Sequence, residues 1–515
     1  MKKELKSFQE SLIRSVINTR IYDLVRETPL TTMPALSAQV SNKILIKRED
    51  MHSVFSFKIR GAYHKMTRLP AARLKKGVIA ASAGNHAQGV ALSAQKLGCR
   101  ASIFMPRHAQ RIKVEAVRAR GAKVVLTGDS FDDANLTAQQ TARETGAVFI
   151  PPFDDKDIIA GNGTIAAEIL RQHPAPLQAI FCAIGGGGLI TGIAAYVKAL
   201  RPDVRIIGVE AEESASMHAS LVAGRRVQLP QVGAFADAVA VKQPGRLPFA
   251  FARELLDDVI VVNNDALCAA VKDLYEDTRV IFEPGGALAI AGLKRYAARN
   301  RWRNKNLIAL ACGANMNFDR LRFIAERAEV GEQREALFAV TISERPGSFR
   351  QFCALLEKRN ITEFNYRMDD PNKAHIFVGV EIQGTAERRQ LLQKLRAHNL
   401  PTIDLTDDEM AKTHIRHMVG GRAPATNELL YRFEYPEKPG ALMKFLNTLG
   451  ISRFNWNISL FHYRNNGADA GRVLVGMQVP PAERKQFDKF LRDVGYPHTL
   501  EVNNPAYRLF LEGQR

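Results

Sequence analysis

The sequence predicts an α/β body with a largely parallel sheet and helices on both faces, followed by two smaller α+β repeats. Two observations lead to this prediction. Residues 1–325 alternate short apolar strands with helical stretches, which is typical of βαβ units. Beyond residue 335, one order of strands and helices occurs twice, which indicates a duplicated βαββαβ unit of ferredoxin-like topology.

The body contains apolar segments of strand length, separated by helical patterns such as those over 87–97 and 190–200. In open parallel sheets, ligands bind beyond the carboxyl ends of the strands. Glycine-rich segments of this chain lie at those ends, so we expect a ligand site there. The predicted strands are 43–47, 77–81, 100–105, 123–126, 179–184, 205–210, 259–262 and 306–311.

The duplication is visible as two similar runs of elements, joined by a Gly- and Pro-containing linker over 420–424. We therefore predict three units, with boundaries at 1–325, 336–408 and 428–511. The predicted pairs are strand 336–342 with 430–435, turn 345–347 with 438–440, helix 348–358 with 441–449, segment 361–366 with 451–456, and strand 374–382 with 472–479.

Composition excludes several classes of protein. The 515 residues are 46% hydrophobic and 24% charged, which is ordinary for a globular chain. No segment has the ~20 apolar residues of a membrane span, and the amino terminus does not resemble a secretory signal. The five cysteines are scattered without a C-x-x-C pair, which favours a reducing, cytoplasmic location.

The formal net charge of +19 is unusual and is compatible with binding to nucleic acid. The basic residues, however, recur along the whole chain, and no nucleic-acid-binding motif accompanies them. We therefore expect neither a nucleic-acid nor a membrane partner.

The most specific motif is the run Gly185, Gly186, Gly187, Gly188 and Leu189, between a predicted strand and a predicted helix. Consecutive glycines allow positive φ and close approach of a ligand to the backbone. The N–H groups at a helix amino terminus bind anions, so this loop is predicted to hold a phosphate. The alternative is a flexible turn.

Three further segments contain residues suited to chemistry. Lys58 follows Phe57 among apolar neighbours just before a helix, where burial lowers the pKa of a lysine and makes its amine a nucleophile. A loop of small residues follows the strand 78–81 and can hold a carboxylate; it comprises Ser82, Ala83, Gly84, Asn85 and His86. Cys312 closes the last strand of the body. Taken singly, these segments could be a surface lysine, a helix cap and a core cysteine.

These segments provide the groups needed to hold pyridoxal 5'-phosphate. They are a reactive lysine (Lys58), a phosphate-binding loop (185–189), an anion-binding loop that contains an Asn (82–86) and a weak hydrogen-bond donor (Cys312). The chain resembles the fold-type-II pyridoxal-phosphate enzymes, whose body is like that of the tryptophan synthase β chain. Within that class it is similar to the biosynthetic threonine deaminases (threonine ammonia-lyases), which also carry two ACT-like repeats. The motifs that carry the resemblance are SFKIRGA, SAGNHAQG, GGGGL, EPGGA over 283–287 and CGANMNF over 312–318.

The resemblance implies roles for these residues. Lys58 would carry the cofactor as a Schiff base and then remove the substrate α-proton. The loop 185–189 would hold the phosphate, Asn85 would meet the ring hydroxyl, and Phe57 would pack against the ring. The loop 82–86 would bind the substrate carboxylate. Loss of the β-hydroxyl of L-threonine would yield 2-oxobutanoate and ammonia, the first step of isoleucine biosynthesis.

Two positions bear on the reaction type. Cys312 would face the pyridine nitrogen, where many relatives carry Ser; a neutral thiol leaves the ring a weaker electron sink, which suits β-elimination. Ala83 stands where serine racemases carry a hydroxyl acid or base, so racemisation is not expected. Some relatives bind a cation near the segment 210–216, but two of its acids could equally lie in a solvated loop, and no metal is predicted. His86 could be a metal ligand or a base, although a role in orienting its loop is favoured.

The repeats imply amino-acid effectors, namely isoleucine as inhibitor and valine opposing it. Their expected contacts are in the two turns: Gly347, Ser348, Phe349, Gly440, Ala441 and Leu442. The family also implies a homotetramer, with L-serine as a second substrate. The alternatives are a serine dehydratase or another β-elimination or β-replacement enzyme of this fold, and a basic protein that senses amino acids or binds nucleic acid.

Overall fold

The computed structural model of the chain describes residues 2–109, 111–233, 235–357, 359–368, 370–421, 423–436, 440–451, 456–464, 470–505 and 507–512. Two compact units are present, Met1–Gly331 and Glu332–Arg515. The predicted boundary at residue 325 falls inside a helix, Arg320–Gly331. No helix in the described ranges combines the length and the apolar character that crossing a bilayer would require.

The first unit contains two sheets of mostly parallel strands. One has six strands in the order β1-β2-β10-β7-β8-β9, in which only β1 is antiparallel to its neighbour. The other has four parallel strands in the order β5-β4-β3-β6. The strands are β1 Leu30–Thr32, β2 Lys43–Arg48, β3 Val78–Ala81, β4 Ala101–Met105, β5 Lys123–Leu126, β6 Val148–Phe149, β7 Ala179–Ala183, β8 Arg205–Ala211, β9 Asp258–Val262 and β10 Asn306–Ala311.

All eight predicted strands of the body are present, and the predicted α/β class with mostly parallel sheets is confirmed. The sequence pattern missed β1 and β6, which have only three and two residues. The helices are α1 Lys2–Ile17, α2 Pro34–Val40, α3 Lys58–Thr67, α4 Ala71–Lys75, α5 Asn85–Leu97, α6 Arg111–Arg118, α7 Phe131–Thr145, α8 Lys156–Gln172, α9 Gly188–Leu200, α10 Ser216–Ala223, α11 Arg246–Leu255, α12 Asn264–Thr278, α13 Pro284–Arg299 and α14 Arg320–Gly331.

The second unit contains one antiparallel sheet of eight strands, in the order β14-β11-β13-β12-β16-β17-β15-β18. Each half has the order 4-1-3-2 of a ferredoxin-like repeat, and the halves join through β12 and β16. The predicted duplication is therefore confirmed. The strands are β11 Glu335–Ser343, β12 Ile361–Arg367, β13 Lys373–Glu381, β14 Thr402–Asp404, β15 Glu428–Pro436, β16 Asn457–Arg464, β17 Ala470–Gln478 and β18 His498–Leu500.

One pairing of segments between the repeats is wrong. The strand equivalent to β12 is β16, whereas the segment predicted to match it, 451–456, precedes that strand. Ile451 ends the preceding helix, because the apolar run of that helix continues to this residue, and 452–455 lie outside the described residues. The helices of the second unit are α15 Ser348–Leu355, α16 Thr385–Ala397, α17 Glu409–Thr413, α18 Ala441–Ile451 and α19 Arg484–Val494.

Candidate active site

A cavity of about 1020 Å³ lies in the first unit, beyond the carboxyl ends of strands from both of its sheets. The loops that follow β3, β7 and β10 all contribute to its wall, as expected for a ligand site in parallel sheets. The predicted catalytic, cofactor and substrate residues all line it. They are Phe57, Lys58, Ser82, Ala83, Gly84, Asn85, His86, Gly185, Gly186, Gly187, Gly188, Leu189 and Cys312.

Lys58 is the first residue of α3, and its Nζ lies 3.3 Å from the carbonyl oxygen of Pro152 and 5.1 Å from the ring centre of Phe57. Burial lowers the pKa of Lys58 to about 8, while the neighbouring Cys312 and Glu283 raise it. A larger fraction of the amine is therefore uncharged near neutral pH than in an exposed lysine, which makes it a better nucleophile.

A buried ionic cluster holds α3 in place. Arg60, two residues after Lys58, donates to Glu49 at 2.7 Å and to Glu168 at 2.6 Å, and the side chains of all three have no solvent exposure. Lys47 contacts Glu168 at 2.7 Å. Because two cations balance two carboxylates, the cluster is electrically neutral, and it anchors the helix end that presents Lys58.

The glycine loop has no room for side chains. A Cβ on Gly186 would lie 2.2 Å from the ring of Phe153, and one on Gly188 would lie 2.7 Å from the Phe153 carbonyl oxygen. Gly187 has a φ of +91° and precedes α9 without a side-chain cap. The amino-terminal N–H groups of α9 therefore face the cavity without a competing side chain, as an anion site requires.

The loop after β3 leads into α5, whose amino-terminal flank is Gly84. The Nε2 atom of His86 lies 2.9 Å from the Ile150 carbonyl oxygen, so this nitrogen carries the proton and donates it. Burial and the charge of Lys58 lower the pKa of His86 to about 3. The imidazole is thus neutral, a weak base and bound to the backbone, which favours the loop-orienting role over that of a base.

Cys312 follows β10, and its buried thiol is 3.5 Å from the carbonyl oxygen of Leu310. Burial first, and then the nearby Glu49 and Glu283, raise the pKa of Cys312. The thiol is therefore neutral at physiological pH, and its S–H can act only as a weak donor.

Glu283 and Asn315 line the cavity and were not predicted as site residues, although both lie in motifs that the sequence shows. Glu283 accepts a hydrogen bond of 2.6 Å from Asn85, and Asn315 donates one of 2.5 Å to the same side chain. Burial first, and then Asp237, raise the pKa of Glu283 to about 7. Asn162 also lines the cavity but lies outside those motifs, and its buried amide oxygen has no hydrogen-bond partner in the described structure.

Glu212 and Glu213, two of the three acids in the segment 210–216, are exposed, as the solvated-loop alternative expects, whereas the third acid, Glu210, is not. It is fully buried rather than part of a solvated loop, and its carboxylate accepts the backbone N–H groups of Met217 and His218 at 2.9 and 2.7 Å. Both oxygens thus cap the start of α10. Within the described residues, no group of His, Cys, Asp and Glu has an arrangement suited to a metal ion.

The cavity fits pyridoxal phosphate. The glycine loop leaves no room for a side chain where a phosphate would lie. The amine of Lys58, whose pKa is lowered, lies beside the ring of Phe57. The buried amide oxygen of Asn162 has no hydrogen-bond donor in the described structure and could accept one from the cofactor. These features define a fold-type-II enzyme dependent on this cofactor. In agreement, residues 21–313 match the family model described as pyridoxal-phosphate-dependent enzyme.

Residues 326–415 and 419–511 match the C-terminal regulatory domain of threonine dehydratase. The chain is 54% identical over 503 residues to the biosynthetic L-threonine dehydratase of Burkholderia multivorans, which covers 97% of this chain and 99% of the relative. It is 50% identical to the corresponding Escherichia coli protein, with 97% of each covered. The chain belongs to the family of biosynthetic threonine dehydratases, and the enzyme class and the cofactor predicted from the sequence are confirmed.

Solved structures with the same fold include the processed form of threonine deaminase isoform 2 from Solanum lycopersicum. Its TM-score is 0.62 at 45% identity, covering 64% of this chain and 94% of that one. Maize serine racemase has a TM-score of 0.57 at 33% identity, covering 61% of this chain and 95% of that one.

The second unit has a smaller cavity, of about 250 Å³, between its two repeats. Of the predicted effector contacts, Gly347 and Phe349 line it, whereas Ser348 and the second turn (Gly440, Ala441 and Leu442) do not. The second repeat contributes instead the end of α18 and the start of β16. Gly347 and Gly440 share a positive φ, of +92° and +89°; the other residues of the second predicted turn, 438 and 439, lie outside the described residues.

Proposed function

We propose that this chain converts L-threonine into 2-oxobutanoate and ammonia, with isoleucine as a feedback inhibitor that binds the second unit. The catalytic part of this proposal rests on one observation: Lys58, the glycine loop and the Asn85 loop line the same cavity. The printed names of the relatives support threonine as the substrate. L-Serine is a second candidate substrate, since it differs only by a methyl group.

Bound at this site, pyridoxal phosphate supplies an electron sink for the α-carbon of an amino acid. Lys58 holds the cofactor through its amine and then moves the α-proton of the substrate. The N–H groups of Gly185–Leu189 bind the phosphate, and Phe57 packs against the ring. Ser82 to His86 bind the substrate carboxylate and fix the direction of its α-C–H bond.

Ala83 and Cys312 direct the outcome of the reaction. Ala83 lines the cavity but has no group that moves a proton, so this position cannot supply a second acid or base to the α-carbon. The neutral thiol of Cys312 leaves the pyridine nitrogen without a strong charge partner. Both features favour elimination of the β-hydroxyl over racemisation or transamination.

For the regulatory part, we propose that the cavity between the repeats is an effector site. Glu344 lines it and accepts hydrogen bonds from the hydroxyl of Tyr366 at 2.6 Å and from the amide of Asn457 at 2.8 Å. A carboxylate suits the ammonium group of an amino acid, and the exposed Arg350 suits its carboxylate. The lining residues Leu446 and Leu449 suit an aliphatic side chain.

Three finer statements belong to the same proposal. The catalytic unit spans 1–325 and the repeats span 336–408 and 428–511. The protein assembles as a homotetramer, which sedimentation at several concentrations would test. It acts in the cytoplasm, and the observation that supports this location is that its five cysteines are scattered along the chain without a C-x-x-C pair.

The catalytic proposal is tested by the rate of keto-acid formation from L-threonine, L-serine and O-acetyl-L-serine. We expect threonine to be used best, and Lys58→Ala to lower its turnover by at least about 1000-fold, since the variant lacks both the linkage and the base. Lys96→Ala, at an exposed position of α5, is the matched control. Full threonine turnover by Lys58→Ala would contradict the assigned role.

The effector proposal is tested by adding isoleucine to the same assay, with valine as the opposing ligand. We expect Glu344→Gln to weaken inhibition by isoleucine at least about 10-fold while the uninhibited rate is unchanged. Glu357→Gln is the control, because this exposed carboxylate lies in the same repeat but outside the cavity. Equal inhibition of Glu344→Gln and the unaltered protein would exclude this carboxylate from the effector site.

A further inference from the structure

Asn85 lies in a chain of three hydrogen-bonded side chains within the catalytic cavity. Its Nδ2 donates to Glu283 Oε1 at 2.6 Å, and its Oδ1 accepts from Asn315 Nδ2 at 2.5 Å. Asn315 Nδ2 also donates to the carbonyl oxygen of Val54 at 2.8 Å. Both hydrogens of the Asn315 amide nitrogen are thereby used.

The groups at the two ends of this hydrogen-bonded series, the Val54 carbonyl oxygen and the Glu283 carboxylate, determine which way the two amides are oriented. A backbone carbonyl oxygen can only accept, so Asn315 must turn its nitrogen toward Val54. Its second amide hydrogen then points to Asn85, so Asn85 must accept this hydrogen bond with its side-chain oxygen. Asn85 is left to present its nitrogen to Glu283, whose carboxylate accepts it. The orientation of the central amide is therefore not free.

The carboxyl group of Glu283 occupies a space that depends on a glycine in the neighbouring backbone. Glu283 precedes α13, but its side chain does not cap that helix as a Ser, Thr, Asp or Asn at such a position often does. It extends instead into the cavity and is 4% exposed. A Cβ on Gly313 would lie 2.5 Å from Glu283 Oε1, so glycine at this position leaves the space that the carboxyl group occupies.

We propose that Asn315 and Glu283 are positioning residues that hold Asn85 as an obligate hydrogen-bond donor toward the ring oxygen of the cofactor. This inference rests on the proposed function, in which Asn85 meets that oxygen. One hydrogen of Asn85 Nδ2 is bound by Glu283, and the other is available to the ring. A donor at this point stabilises the ionised form of the ring oxygen, whereas a reversed amide would repel it.

The test is the absorption spectrum of the bound cofactor and the affinity of the cofactor-free protein for pyridoxal phosphate. Asn315→Asp keeps the shape of the side chain but cannot donate to Val54 or to Asn85. We expect absorbance to move from the longer-wavelength band of the ionised ring oxygen to the shorter-wavelength band, and the affinity to fall about 10-fold. Asn315→Ala removes the same donor without adding charge, and we expect a smaller change in the same direction.

Two further variants separate the effect of the orientation of the Asn85 amide from the effect of a changed charge in the cavity. Glu283→Gln removes the charge but retains an acceptor oxygen for Asn85, so we expect the wild-type band and an affinity within about threefold of wild type. Asn135→Asp places a new carboxylate on α7 in the same cavity, at a residue that makes no hydrogen bond to Asn85, Asn315 or Glu283 in the described structure, and we expect no spectral change.

The outcomes are distinct. An unchanged spectrum and affinity in both Asn315 variants would overturn the inference while leaving the proposed function standing. An equal spectral change in Asn135→Asp would also overturn it, because charge rather than direction would then be responsible. A wild-type protein that takes up no cofactor would overturn the proposed function together with this inference.

Discussion

The lowered pKa of Lys58 leads to a quantitative prediction about its reactivity. Burial moves the pKa from the ordinary value of 10.5 to about 8. At pH 7 about 9% of the amine is then uncharged, against about 0.03% for an unperturbed lysine, a difference of roughly 300-fold. Since only the uncharged amine attacks a carbonyl group, the reactivity of Lys58 should rise with pH, reach half its maximum near pH 8 and level off above about pH 9.

The assay is competitive labelling of the cofactor-free protein with a trace of acetic anhydride between pH 6 and 11, with modified lysines quantified by mass spectrometry. We expect half-maximal labelling of Lys58 near pH 8. Lys96, an exposed residue in the same sample, provides the reference curve. A midpoint for Lys58 at or above pH 10 would refute the argument that burial, which lowers the pKa of Lys58, outweighs the influence of Cys312 and Glu283, which raise it.

Two other substitutions test the scaffold of the site. Gly186→Ala forces a methyl group to within 2.2 Å of the Phe153 ring, so we expect cofactor affinity to fall at least about 10-fold in an absorbance titration, while Gly421→Ala, in open space, leaves it unchanged. Arg60→Met removes the guanidinium that bridges two buried carboxylates and leaves Lys47 as a partner of Glu168 alone, so it should lower the free energy of unfolding by about 3–5 kcal/mol in urea. A loss below 1 kcal/mol would show that the carboxylates find other partners.

Local patterns were sufficient to predict most of the fold. The strands of the body are apolar runs bounded by turn residues, and the helices have clear periodicity, so hydrophobic pattern and element type agree. The short strands β1 and β6 were missed because two or three residues carry no periodic signal. The second repeat was misaligned around Ile451 because an apolar run can continue a helix as well as begin a strand.

The residues that line the catalytic cavity could also be predicted, since a lysine, a glycine loop and an Asn loop each follow a strand or precede a helix. The sequence could not show which polar groups meet. Glu283 and Asn315 lie 198 and 230 positions from Asn85, and only the folded sheets bring them together. The same holds for the effector cavity, where the second repeat contributes α18 and β16 rather than its glycine turn.

The sequence by itself therefore determined the class of fold, the cofactor chemistry and the position of Lys58, because these depend on residue type and local order along the chain. The tertiary structure decided the protonation state of His86, the direction of the Asn85 amide and the burial that lowers the pKa of Lys58. These properties depend on distances and on exclusion of water between distant segments. Such quantities exist only once the chain has folded.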